Sequence, residues 1–141
     1  MLFKNENESL AIEIAGYELP DGTGGDGDWL VLKGTYTADG TITKDRGSYL
    51  TAGELRELTA GLKVLAAGLR DEYASEFQAP YFELTVQRTG EDAFRAGVAF
   101  TMLNSPEDWD TAEIILTCDT ACLRAWIGEL ERAEKKCPPR S

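Results

Sequence analysis

Histidine is absent from this chain of 141 residues, cysteine occurs only three times, and two long stretches carry no lysine or arginine. Without histidine the chain lacks the side chain that most often serves as a general base near neutral pH and that most often binds zinc. A Ser or Cys nucleophile would need a lysine or an amine as its base, and neither Ser-x-x-Lys nor Gly-x-Ser-x-Gly occurs. Cys118, Cys122 and Cys137 do not complete a tetrahedral metal site, and an odd number of cysteines suits neutral thiols in a reducing compartment. No apolar run approaches a membrane span, and Met1-Leu2-Phe3-Lys4-Asn5-Glu6 turns acidic too early for a signal peptide. We therefore expect a cytoplasmic protein with no catalytic residue, no metal and no cofactor.

Acid is what the chain has in excess. The net charge is −11, and the two base-free stretches account for it. From Asn5 to Leu32 stand Glu6, Glu8, Glu13, Glu18, Asp21, Asp26 and Asp28, and from Ala96 to Leu123 stand Glu107, Asp108, Asp110, Glu113 and Asp119. The remainder is about neutral. Such a surface makes nucleic acid and anionic membranes poor partners and a basic protein a good one, because opposite potentials speed encounter. If the two stretches lie side by side in one sheet, they form a single acidic face.

Hydrophobic periodicity sets the elements. Leu10, Ile12 and Ile14 alternate with Ala11, Glu13 and Ala15, as in a strand with one buried face. The Gly/Asp run from Asp21 to Asp28 is a loop, Trp29 to Tyr36 a second strand, and Asp39-Gly40 a hairpin turn leading into a short return strand at Thr41-Ile42-Thr43. Thr51-Ala52-Gly53-Glu54 fits a capping box. Leu55, Leu58, Leu62, Leu65, Leu69 and Tyr73 then form one stripe of a helix ending near Phe77, weakened by Gly61 and Gly68, which could mark close approach to a sheet. Strands follow at Tyr81 to Val86, Ala93 to Met102 and Ala112 to Cys118, with a turn at Thr89-Gly90. Asp119 is a candidate N-cap for a second helix carrying Leu123, Trp126, Ile127 and Leu130, with Glu131 and Lys135 as an i,i+4 pair. The order ββ(β)-α-βββ-α predicts one α+β domain over 1–141, an antiparallel sheet of about five to six strands with two amphipathic helices.

Motifs for chemistry fail on spacing. Placing Gly40 at the sixth position of a calcium loop puts Arg46 at the twelfth, where a bidentate glutamate is needed. The loop from Asp21 to Asp28 has no Gly-Lys-Ser/Thr ending, and its acids would repel a phosphate. Carboxylate pairs such as Glu107 and Asp110 are too common in this chain to specify a glycosidase. Among the tryptophans, Trp29 and Trp126 read as core. Trp109, within Pro106-Glu107-Asp108-Trp109-Asp110, is either a lid on the core or an aromatic anchor ringed by acids.

Several segments together resemble the WapI-type immunity proteins: Asp28-Trp29-Leu30-Val31-Leu32, Tyr49-Leu50-Thr51 leading into Glu54-Leu55 and Leu58, Phe77-Gln78-Ala79-Pro80-Tyr81-Phe82-Glu83, and Leu123 through Leu130 to Pro138-Pro139-Arg140. The resemblance implies a protein that binds and neutralises the C-terminal domain of a polymorphic contact-dependent toxin, often a nuclease, and it brings no catalytic residues. The expected mechanism is stoichiometric occlusion of a basic toxin domain by an acidic surface. The candidate contact residues are Asp21, Asp26 and Asp28 in one loop and Glu107, Asp108, Trp109 and Asp110 in the other. An acidic adaptor in a larger assembly, and a domain with a ligand pocket between sheet and helix, are the alternatives that the residues leave open.

Overall fold

The computed structural model describes residues 1–19, 25–104 and 110–139. Within them the alternation around Leu10 becomes β2 (Glu8–Tyr17), preceded by a short β1 (Leu2–Lys4) and followed by β3 (Trp29–Ala38) and β4 (Thr41–Thr51). After the helix α1 (Ala52–Ala66) come β5 (Glu72–Ala74), β6 (Phe82–Gly90), β7 (Ala93–Met102), β8 (Asp110–Cys118) and the helix α2 (Thr120–Lys136). The α+β class stands. The single sheet of five to six strands does not, because the strands form two four-stranded antiparallel sheets, ordered β1-β2-β3-β4 and β5-β6-β7-β8. Each strand pairs with its sequence neighbour, and α1 interrupts that sequence, so strands before and after it pair only among themselves. β1 and β5, at three residues each, are too short to show a period.

Three local expectations change for identifiable reasons. The Asp39-Gly40 turn holds, with φ of 51° and 76° as a two-residue hairpin of the mirror-image type requires, but its return strand runs eleven residues to Thr51. The turn expected at Thr89-Gly90 falls at Glu91-Asp92, since Gly90 still pairs with Ala93. The first helix stops at Ala66 instead of near Phe77, because Gly68 takes φ +77° and closes a Schellman motif. There Gly68 N–H donates to Leu65 O and Leu69 N–H to Val64 O. Leu69 is consequently 75% exposed, and Tyr73 leaves the helical stripe for β5, where its ring packs close against Gly61.

Both helices are capped as their sequences indicate. Thr51 Oγ1 accepts from Glu54 N–H and Glu54 Oε1 from Thr51 N–H, while Glu54 Oε2 reaches out to Gln78 N–H at 2.7 Å. Asp119 accepts from Cys122 N–H at 2.8 Å. At the other end of α1, Arg88 Nη2 donates to Leu65 O at 2.7 Å with its guanidinium 4.6 Å above the Phe94 ring, which puts positive charge on the negative end of the helix dipole. Glu131 does not pair with Lys135; it meets Lys63 of α1 at 3.0 Å, tying the helices together.

Each helix touches both sheets: α1 lies against β4 and β5, and α2 against β2 and β8. Leu55, Leu58, Leu62 and Leu65 of α1 join Leu123, Trp126, Ile127 and Leu130 of α2 and the inward residues of both sheets in one core. Trp126 is core as expected, its Nε1 donating to Leu2 O at 3.1 Å and its ring 4.8 Å from Phe3. Trp29 is only half-buried. The sheets meet where Phe100 of β7 lies on the bare backbone of Gly34 in β3, so close that a Cβ at position 34 would sit 2.6 Å from Phe100 Cε1. Tyr49, pushed inward beside Leu50 by a bulge in β4, sets its ring 4.6 Å from that of Phe100 at a tilt of 51° and donates its hydroxyl to Thr101 O. Phe100 is fully buried and has no room to withdraw. Gly34→Ala is therefore expected to cost about 1–3 kcal/mol of folding stability by overpacking, measured as a lower urea midpoint with an unchanged slope; wild-type stability would show that the seam yields.

Candidate functional site

Of the seven residues singled out for partner contact, Asp21, Glu107, Asp108 and Trp109 lie outside the described residues. Asp26 and Asp28 belong to a short 3-10 turn, Gly25–Asp28, that leads into β3, and Asp110 opens β8 opposite Met102. Asp28 is only 8% exposed. The residue after the first segment and the last described residue before the second are anchored at different places on β4: Trp29 pairs with Thr51 at its end, whereas Asn104 is bonded to Asp45 in mid-strand. Six residues of strand separate those points, about 20 Å.

The base-free stretches do not share a sheet. The first supplies β2 and the start of β3, and the second supplies the end of β7 and all of β8, in the other sheet. Among the described residues they meet in the shared core and where the sheets approach, with Asn5 Nδ2 donating to Ile115 O at 3.1 Å. A single acidic face built from one sheet is therefore ruled out.

Each sheet buries one face and leaves the other to solvent, and the two free faces differ in charge. On the second sheet the cross-strand register sets Glu83, Ala99 and Glu113 in one row, then Ala74, Thr85, Gly97 and Ile115, then Glu72, Gln87, Arg95 and Thr117. Three acids face one base there, around an Ile115 that is 57% exposed. On the first sheet the free face carries Lys4, Lys33, Lys44 and Arg46 against Glu13. A groove of about 800 Å³ opens on this side, lined by Lys33, Lys44 and Arg46 and by the acids Glu13, Asp45 and Glu129. The three cations follow directly after the acidic stretch in sequence, and β-pairing folds them back beside it. Sequence reasoning missed this groove, although the hairpin already implied it: a two-residue turn at Asp39-Gly40 sets Lys33 opposite Arg46 and Thr35 opposite Lys44.

The family model of the WapI-like immunity proteins matches residues 1–138. The chain belongs to that family. No curated protein and no solved structure matches it. This member of the family thus carries two open sheet faces of opposite charge among its described residues. Among its described residues no helix is long and apolar enough to cross a membrane, and no three His, Cys, Asp or Glu side chains are grouped to hold a metal.

The remaining reactive groups of the immunity protein are held quiet by their surroundings. Tyr36 donates to the Glu8 carboxylate, and that bond, helped by burial and the negative charge, raises the phenol to about 12. Asp92 accepts from Thr120 at the start of α2, which lowers its carboxyl below the ordinary value. Cys118 ends β8 and Cys122 lies in the first turn of α2, and their thiols hydrogen-bond as free cysteines. Burial is the main cause that pushes Cys118 from 9.0 to about 12. Because the folded value lies above the unfolded one, this contribution to stability is complete below pH 9 and is lost as the pH rises toward 12. At pH 8.5 iodoacetamide should modify Cys118 roughly a hundredfold more slowly in the native protein than in urea, followed by mass spectrometry; equal rates would mean the thiol is open to solvent.

Proposed function

We propose that this immunity protein works as one domain, 1–141, in the cytoplasm, where it binds a cognate toxin domain one to one and neutralises it by covering the surface the toxin works with. The observation that carries this reading is the family match across residues 1–138. The toxin is inferred to be basic, and a nuclease fits that description, since an enzyme that grips phosphates needs positive charge. A partner of net charge −11 is drawn to such a surface and competes for it without catalysis. Asp21, Asp26, Asp28, Glu107, Asp108 and Asp110 are inferred to supply charge at or near the contact, Asp28 from a buried position, and Trp109 an aromatic anchor. Neither nucleic acid nor membrane is needed for this activity.

Co-expression with the toxin domain encoded beside this chain tests the reading: growth should be restored and an equimolar complex recovered. Neither rescue nor complex would sink it, and stable co-purification with unrelated proteins would favour an adaptor. Replacing Glu107, Asp108 and Asp110 together by lysine should slow association roughly tenfold and flatten its dependence on salt without lowering the melting temperature. Unchanged kinetics would remove that loop from the interface.

A further inference from the structure

The free face of the first sheet concentrates positive charge in a chain whose overall charge is −11. Its register lays out the side chains in rows: Glu13, Lys33 and Arg46 across β2, β3 and β4, then Ala11, Thr35 and Lys44, with Leu2 of β1 beside Ala11. Lys33 and Arg46 stand directly opposite each other, and like charges in that position repel. Lys44 follows one row on. All three are exposed, and among the described residues none of them takes part in an ion pair. Glu13 stands opposite Lys33, Glu129 is paired with the N-terminus and Asp45 accepts from Asn104, so Lys44 and Arg46 are the cations with no acid opposite them in the register, and an anionic partner would relieve the repulsion.

We propose that this groove receives an acidic segment of the toxin domain, with Lys33, Lys44 and Arg46 meeting its carboxylates in succession. The proposal rests on the immunity reading and adds a second, oppositely charged contact to it. The charges lie on two rows of an open face instead of converging on one point, an arrangement suited to several carboxylates along a chain. The groove's lining also includes apolar Ala11 and Leu2, the latter 53% exposed. Charge beside carbon is the mixture a protein surface fills. A nucleic acid would be opposed by the charge of the chain as a whole.

Asn104 donates its N–H to Asp45 at 2.8 Å and its Nδ2 to Asp45 and to Arg46 O, which holds Asn104 itself at the groove's edge.

The test measures affinity of the toxin domain for the wild-type protein and for K33E/K44E/R46E across a range of salt concentrations, with circular dichroism and melting temperature as controls for folding. We expect the triple reversal to weaken binding roughly tenfold or more, and the neutral K33Q/K44Q/R46Q variant, which removes charge without adding any, to show a smaller loss in the same direction. Reversing the acidic segment of the toxin should restore the affinity of K33E/K44E/R46E. A folded triple variant that binds like wild type overturns the groove and leaves the immunity reading intact, whereas a wild-type protein that forms no complex overturns both. If the reversal abolishes self-association seen by sedimentation while toxin binding is unchanged, the groove belongs to a second copy of this chain and the proposal fails.

Discussion

The ring of Phe100 against the backbone of Gly34 packs together two sheets that pair no strands with each other, and the side on which each residue of β3 stands follows from that junction. Side chains alternate along a strand, so fixing Gly34 inward fixes Lys33 and Thr35 outward. A shift of one residue in β3 would drive Lys33 into the core and expose Leu32. Tyr49 reinforces the same point from β4, packing at a tilt on Phe100 and bonding to Thr101, so two strands of one sheet hold the end of β7 in the other. The groove on the outer side thus has a rigid back, which is what a preformed recognition surface requires.

Two helices are enough for two sheets because each helix touches both. α1 reaches β4 and β5, α2 reaches β2 and β8, and Lys63 and Glu131 link the pair. The consequence is that, among the described residues, no helix covers the outer faces, which stay open to solvent. Their charges follow from topology more than from regional composition. The acid-rich stretch to Leu32 enters a sheet whose next strands bring Lys33, Lys44 and Arg46 back across it, while the second sheet receives Arg95 as its one outward base among the register-paired rows.

What was legible in the sequence was whatever rests on short-range chemistry. The capping box at Thr51 and Glu54, the N-cap at Asp119, the Asp39-Gly40 turn and the limits of β7 at Ala93 and Met102 all depend on neighbours within a few residues. The stripe from Leu55 to Leu65 was readable for the same reason, but it continued in sequence through Leu69 and Tyr73 with spacing as good as before. Only the left-handed backbone at Gly68, stabilised by bonds to Leu65 and Val64, decides that the helix stops. β1 and β5 were invisible because three residues hold no period, and the division into two sheets because it turns on which distant strand edges remain unpaired. Of the candidate site, the family and its kind of partner could be read from scattered apolar signatures, while the arrangement of charge could not, since counting acids along a chain ignores the strand that lies beside them.

That last point alters how the excess of acid should bear on recognition. A net charge of −11 acts at long range, where separate charges blur into one field, and it sets how fast a basic partner arrives. Within a Debye length of about 8 Å in physiological salt the field resolves into its sources, and a partner docked on the free face of the first sheet would meet Lys33 and Arg46 as cations, whatever the total. Long-range attraction and short-range fit can therefore select for different features of the same toxin. A basic protein lacking an acidic segment would be drawn in quickly and held poorly, so discrimination between toxins would appear in dissociation rates more than in association rates.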